Sequence, residues 1–234
     1  MLFRSAVVIG LSLAASLSTP GTGFAQVGFD DTGLAKEVLE NHIRPGYAAF
    51  VAKTGELKGT LEAACKAPDA SHKDKVLGAF RETVLAWSRV EHLKFGPAID
   101  ANRAERIMFW PDRQRVGERQ VQAILEKKDP TATTAADLQK KSAAAQGLPA
   151  LETLMIAKSG EPWAATPEGQ FACNYAAAIA ENLAGMAKEI AAGWAAGGTF
   201  EEMWLKPSDK NPAYKDGRGT SDRKSTRLNS SHRT

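Results

Sequence analysis

Two glutamates stand where an acid is costly to keep. In the stretch 142–156, SAAAQGLPALETLMI, Leu148, Leu151 and Met155 recur at helical spacing and mark an apolar face. Glu152 lies four residues after Leu148 and three before Met155, which aims it toward that face. In VLAWSRVEHLKF, Glu91 falls four residues after Trp87 and four before Phe95, again on an apolar stripe. Burying an ionised carboxylate costs several kcal/mol unless it is paired, hydrogen-bonded or bound to a cation. Three chemistries fit such a pair. With waters, two carboxylates hold a hard or borderline metal ion, weakly. They can also work as an acid and a base. Or they accept hydrogen bonds from Arg103, Arg106 or Trp110 in a structural polar knot with no ligand.

The elements that must position these acids read as helices separated by Gly/Pro punctuation. Leu34, Val38, Leu39 and Ile43 form a stripe that the spacing ends at Pro45-Gly46. Tyr47, Phe50, Leu57 and Leu61 continue to Cys65, and Ala67-Pro68 closes that segment. Ser71 with Asp74 makes a capping box, opening a helix through Val76, Phe80, Trp87, Glu91 and Phe95 to Gly96-Pro97. An irregular connection follows, carrying Phe109-Trp110-Pro111-Asp112, whose aromatics suit the edge of a core or pocket. Helices are expected over 116–128 and, capped by Thr134, over 135–145. Gly147 and Pro149 interrupt before the Glu152 segment, with Pro149 in a first helical turn. Thr166-Pro167-Glu168 starts a helix of roughly 30 residues, about 45 Å long, to Gly197-Gly198, and the polar chain beyond Trp204 suits a linker. No stretch alternates with period two. The fold class expected is all-α, in antiparallel helical bundles.

The ends need separate treatment. Residues 1–25 resemble a cleaved export signal: Arg4, a short apolar run over 6–17, and small residues at Gly23 and Ala25 before Gln26. The run is too short and too rich in Ser to span a bilayer as a retained helix. Residues 222–234 include DRKSTRLNSSH, which resembles translated sequencing adapter; on that reading the natural chain continues past Ser221, with 26–221 its incomplete helical domain. The 222–234 segment holds four basic residues against one acid, the entire formal excess of +3, so 26–221 without Arg4 stands at −1. The basic balance therefore gives no reason to expect nucleic acid as a partner. Cys65 and Cys173, far apart in an exported chain, read as one disulfide.

Sequence signatures of enzymes are missing. There is no His-Glu-x-x-His and no Gly-x-Ser-x-Gly. Without Cys-x-x-Cys-His no attached haem is expected, nor is a nucleotide cofactor. His42 and His92 have no His or Cys partner at useful spacing, so neither is expected to bind a metal by itself.

Three motifs in order carry a resemblance to a known family. They are Trp87-x3-Glu91-x3-Phe95-Gly96, Phe109-Trp110-Pro111-Asp112 and Gln146-Gly147-Leu148-Pro149-Ala150-Leu151-Glu152. Together they resemble the imelysin-like family, also called the insulin-cleaving membrane protease family, over about residues 36–205. The resemblance implies an all-helical protein, exported to the periplasm or attached to the outer envelope, often built from two related bundles with a site between them. It implies a role in iron uptake alongside other envelope iron-uptake proteins, and its name a metal-dependent peptidase; an envelope scaffold is the third reading. The family signature Gly-x-His-x-x-Glu matches at Gly147 and Glu152, but Pro149 stands where the histidine belongs and offers no ligand. A divalent or ferric ion would then rest on Glu91 and Glu152. Trp87, Arg103, Trp110 and Asp112 are the expected ligand-binding side chains, for a metal ion or a small ligand carrying one.

Overall fold

Helix begins where Asp30 caps it, its carboxylate accepting from the Gly33 amide at 2.8 Å. The computed structural model describes residues 30–67, 71–156 and 166–215. The signal-like segment and the 222–234 tail lie outside them. Among the described residues every regular element is helical.

α1 (Asp31–Val38) does not stop at Pro45-Gly46 as the spacing suggests. It runs through a π-helical turn, Leu39–Ile43, into α2 (Arg44–Lys66). Pro45 has no amide hydrogen to give and its ring crowds the preceding turn. The π-turn absorbs that fault: the Arg44 amide reaches Leu39 O, five residues back, and the rod continues. α3 (Ser71–Ser88) returns antiparallel, with the Thr83 hydroxyl donating to Lys53 O across the pair. On the other flank of α2 lies α8 (Pro167–Trp194). Its direction is set at both ends: Arg44 Nε donates to Trp194 O at 2.8 Å, and Cys65 is disulfide-bonded to Cys173 with Cα atoms 5.6 Å apart. The Thr166 hydroxyl caps α8 by accepting from Gly169 N at 3.1 Å. Thr166→Ala is expected to lower stability by about 1 kcal/mol in denaturant unfolding; no change would mean that water caps this end equally well.

α8 buries a broad apolar arc, Tyr175, Ile179, Leu183, Met186, Ile190 and Trp194, padded by alanines that let α2 approach closely. α5 (Val116–Lys127) and α7 (Gly147–Ile156) pack together beside α8. The helix expected over 135–145 is only α6 (Ala135–Leu138), capped by Thr134 as expected; Ala144 and Ala145 are buried in a 3-10 turn next to α5. Between Trp204 and Lys215 the chain packs onto the bundle rather than running as a linker. Beyond α9 (Thr199–Leu205), Asn211 is buried, donating to Met203 O and accepting from the Tyr214 amide. Tyr214 packs edge-on against Trp204, whose indole N–H donates to Ala35 O at 2.8 Å. Phe95 stacks on the same Trp204 and meets Trp194 edge-on. Aromatic pairing closes this end of the bundle around the first rod.

Candidate functional site

α3 ends at Ser88, earlier than the apolar spacing suggests, and 89–92 form turns. Val90 and Leu93 take the buried positions, so Glu91 is exposed rather than sheltered on a helical face. Glu152 is exposed as well. In α7 the buried arc includes Ala150 and Leu154 besides Leu148, Leu151 and Met155. At about 100° per residue that arc centres between Leu151 and Leu154, leaving Glu152 about 120° away and facing solvent. The buried acid pair expected from the sequence does not form. The residue in the histidine position, Pro149, is half-buried in the first turn of α7, where its missing amide hydrogen costs no helical bond.

What does form beside Glu91 is an open cleft of about 400 Å³. Trp87, Glu91 and Lys94 line it from the end of α3 and the following turn. Glu105, Met108 and Trp110 line it from α4 (Arg103–Ile107) and the loop after it. Trp87 is only 2% exposed, lies against Phe50, and has a buried indole N–H with no hydrogen-bond acceptor among the described residues. Trp110 is 76% exposed, on a cis Trp110–Pro111 peptide. Glu152, Arg103 and Asp112 do not line this cleft.

The last two are engaged in structure. Asp112 accepts from the amides of Val116 and Gly117 at 2.7 and 2.8 Å, tying the aromatic loop to the start of α5. Both its oxygens are thus held at a helix N-terminus, where a carboxylate is favoured. Arg103 donates from Nε to Glu189 at 2.7 Å, and from Nη1 to the carbonyls of Pro97 and Asp100. It fastens the connection before α4 onto α8. Among the described residues, no three His, Cys, Asp or Glu side chains converge to hold a metal.

A polar node that the motif spelling hid lies at the α7 junction. Gln146 is fully buried. Its carbonyl oxygen accepts from Asn182 at 2.7 Å and from Arg106 Nε at 3.2 Å, and its amide donates to Lys141 O at 2.9 Å. Arg106 also reaches the Asn182 carbonyl at 3.3 Å. Desolvation pulls the Arg106 guanidinium below its ordinary pKa. The signal was a lone glutamine in an apolar run, AAAQGLPAL, next to a glycine. That glycine, Gly147, has φ +86°, and a Cβ there would lie 2.2 Å from Arg106 O and 2.6 Å from Ile107 O. Arg103 and Arg106, which one reading of the sequence offered to the two acids, serve Glu189 and this node instead.

The motif residues thus sit at the joints of the fold: Gly96 against Trp194, Asp112 at α5, Gly147 against α4. A family model described as imelysin, a peptidase family, matches residues 43–226. The chain belongs to the imelysin family. Its fold is likewise similar to the crystal structure of an imelysin-like protein from Psychrobacter arcticum 273-4, with a TM-score of 0.59 at 24% identity. That alignment covers 70% of this chain and 49% of the other, so the chain spans about half the length of that imelysin-like protein. A search of curated proteins finds no match. Within this imelysin-family chain, the glycines and Asp112 of the motifs are explained by backbone packing, while Trp87, Glu91 and Trp110 share a cleft.

Proposed function

We propose that the chain is an exported helical binding protein for a metal ion or a small ligand carrying one, linked to iron uptake, and that the Trp87–Trp110 cleft is its site. The reading is carried by the cleft wall: Trp110 holds a large apolar ring in solvent beside the carboxylates of Glu91 and Glu105, over a floor that includes Trp87. The exposed ring offers a stacking or cation–π surface. Glu91 supplies the negative charge beside it, and Glu105 a second, against the single positive charge of Lys94. Export is supported by the signal-like 1–25 segment and by the Cys65–Cys173 disulfide, a bond of oxidising compartments.

Ferric citrate is a suitable probe. It should quench tryptophan emission saturably and raise the melting temperature. Trp110→Ala should weaken binding at least tenfold while changing stability by no more than about 0.5 kcal/mol, because the ring is solvent-exposed. Glu91→Gln should weaken the metal-bearing probe more than a metal-free citrate control. Equal affinity of wild type and both variants, or no binding by the wild type, would remove the cleft as the site.

A further inference from the structure

Histidines 50 residues apart in sequence meet at the surface: His42 Nε2 and His92 Nε2 lie 3.1 Å apart. We propose that His42 and His92 form a two-imidazole site for a borderline divalent cation, with Cu²⁺ bound most tightly and Ni²⁺ and Zn²⁺ more weakly. Neither ring lines the Trp87–Trp110 cleft, so the site stands apart from the one proposed above.

The separation of the two nitrogens is that of a chelate. With metal–nitrogen bonds of about 2.0–2.1 Å, nitrogens at this separation subtend roughly 100° at a shared ion. That lies between an octahedral edge and the tetrahedral angle. The ring centroids are 5.2 Å apart with planes inclined by 31°. The nitrogens therefore face each other nearly head-on. Each exposed ring must tilt by roughly 40° through χ1 and χ2 to aim its lone pair at one ion, a movement open to a surface side chain. In the metal-free protein one Nε2–H donates to the other Nε2. Binding needs that donor ring to move its proton to Nδ1, so both neutral rings present an Nε2 lone pair and no proton need leave. Imidazole pairs suit Cu²⁺, Ni²⁺ and Zn²⁺, and the Irving–Williams order places Cu²⁺ first.

The backbone delivers the two rings by unrelated means. His42 sits inside the π-turn Leu39–Ile43, whose extra residue offsets the side chains that follow α1. Such turns are frequent at functional sites. His92 sits in the turns that follow α3, where Leu93 bonds back to Val90 O and Lys94 to His92 O. Both histidines are exposed, so water can complete the coordination and substitution should not disturb the core. A bound ion would tie the first helical rod to the end of α3.

The test is a Cu²⁺ titration of the purified protein followed by calorimetry and electron paramagnetic resonance. The wild type should bind one ion whose spectrum shows coupling to two imidazole nitrogens. His42→Ala and His92→Ala should each lose at least tenfold in affinity, and either loss should abolish the two-nitrogen pattern. His72→Ala, His232→Ala and Trp110→Ala should bind as the wild type does. Retention of the two-nitrogen spectrum in His42→Ala or His92→Ala overturns the proposal, as does a wild-type spectrum with one imidazole nitrogen or none. Failure of Trp110→Ala to bind ferric citrate bears on the cleft alone.

Discussion

Gly147→Ala is expected to destabilise the protein by about 3 kcal/mol or more, a large share of the roughly 5–15 kcal/mol that holds a domain folded. Two costs add at this position. A positive φ of +86° strains any residue with a Cβ, at about 1–3 kcal/mol. The new methyl would also sit 2.2 Å from Arg106 O and 2.6 Å from Ile107 O, both backbone atoms that cannot swing aside. Relief would require α7 to move away from the end of α4, pulling Gln146 from Arg106 and Asn182. That would leave buried polar groups without partners, each costing about 1–3 kcal/mol. Urea unfolding is the measurement. A loss below about 1 kcal/mol would show that this joint is soft and that the glycine serves something other than packing.

Breaking the Cys65–Cys173 bond is the second large effect. The bond joins the end of α2 to the start of α8 and closes a loop with a sequence separation of 108. Loops near this size are worth about 2–5 kcal/mol through the conformational freedom removed from the unfolded chain. For a chain of this length, that corresponds to a melting temperature lower by roughly 5–15 °C. Cys65→Ser with Cys173→Ser should show this fall, and dithiothreitol should reproduce it in the wild type while leaving the double variant unchanged. A reduced wild type that melts within a degree of the oxidised one would mean that the α2–α8 contact alone holds the two ends together.

Helical periodicity was most informative where one element buries one face over many turns. α8 shows this best: its start at Thr166-Pro167, its length and its buried Tyr175-to-Trp194 stripe could all be read from residue spacing. The rod through Pro45 could not, because a π-turn adds a residue that no 3.6-residue pattern anticipates. The acids mark a different limit. Spacing relates Glu152 to Leu148 and Met155, yet it does not say which neighbouring row is buried too. Ala150 and Leu154 belong to that row because α5 and α8 press on it, and they rotate Glu152 outward. For Glu91, spacing assumes a helix that has already ended.

By itself, the order of residues determined an all-helical chain of the imelysin family, its disulfide partners and the ends of its longest helix. Those features depend on local backbone preference, on periodic burial, or on having only two cysteines to join. The tertiary structure alone decided that Glu91 faces a cleft with Trp87 and Trp110, and that Arg106 serves Gln146 and Asn182. It alone brought His42 to within hydrogen-bonding reach of His92. Each of these joins groups from segments distant along the chain, and which segments touch is set by how whole helices pack.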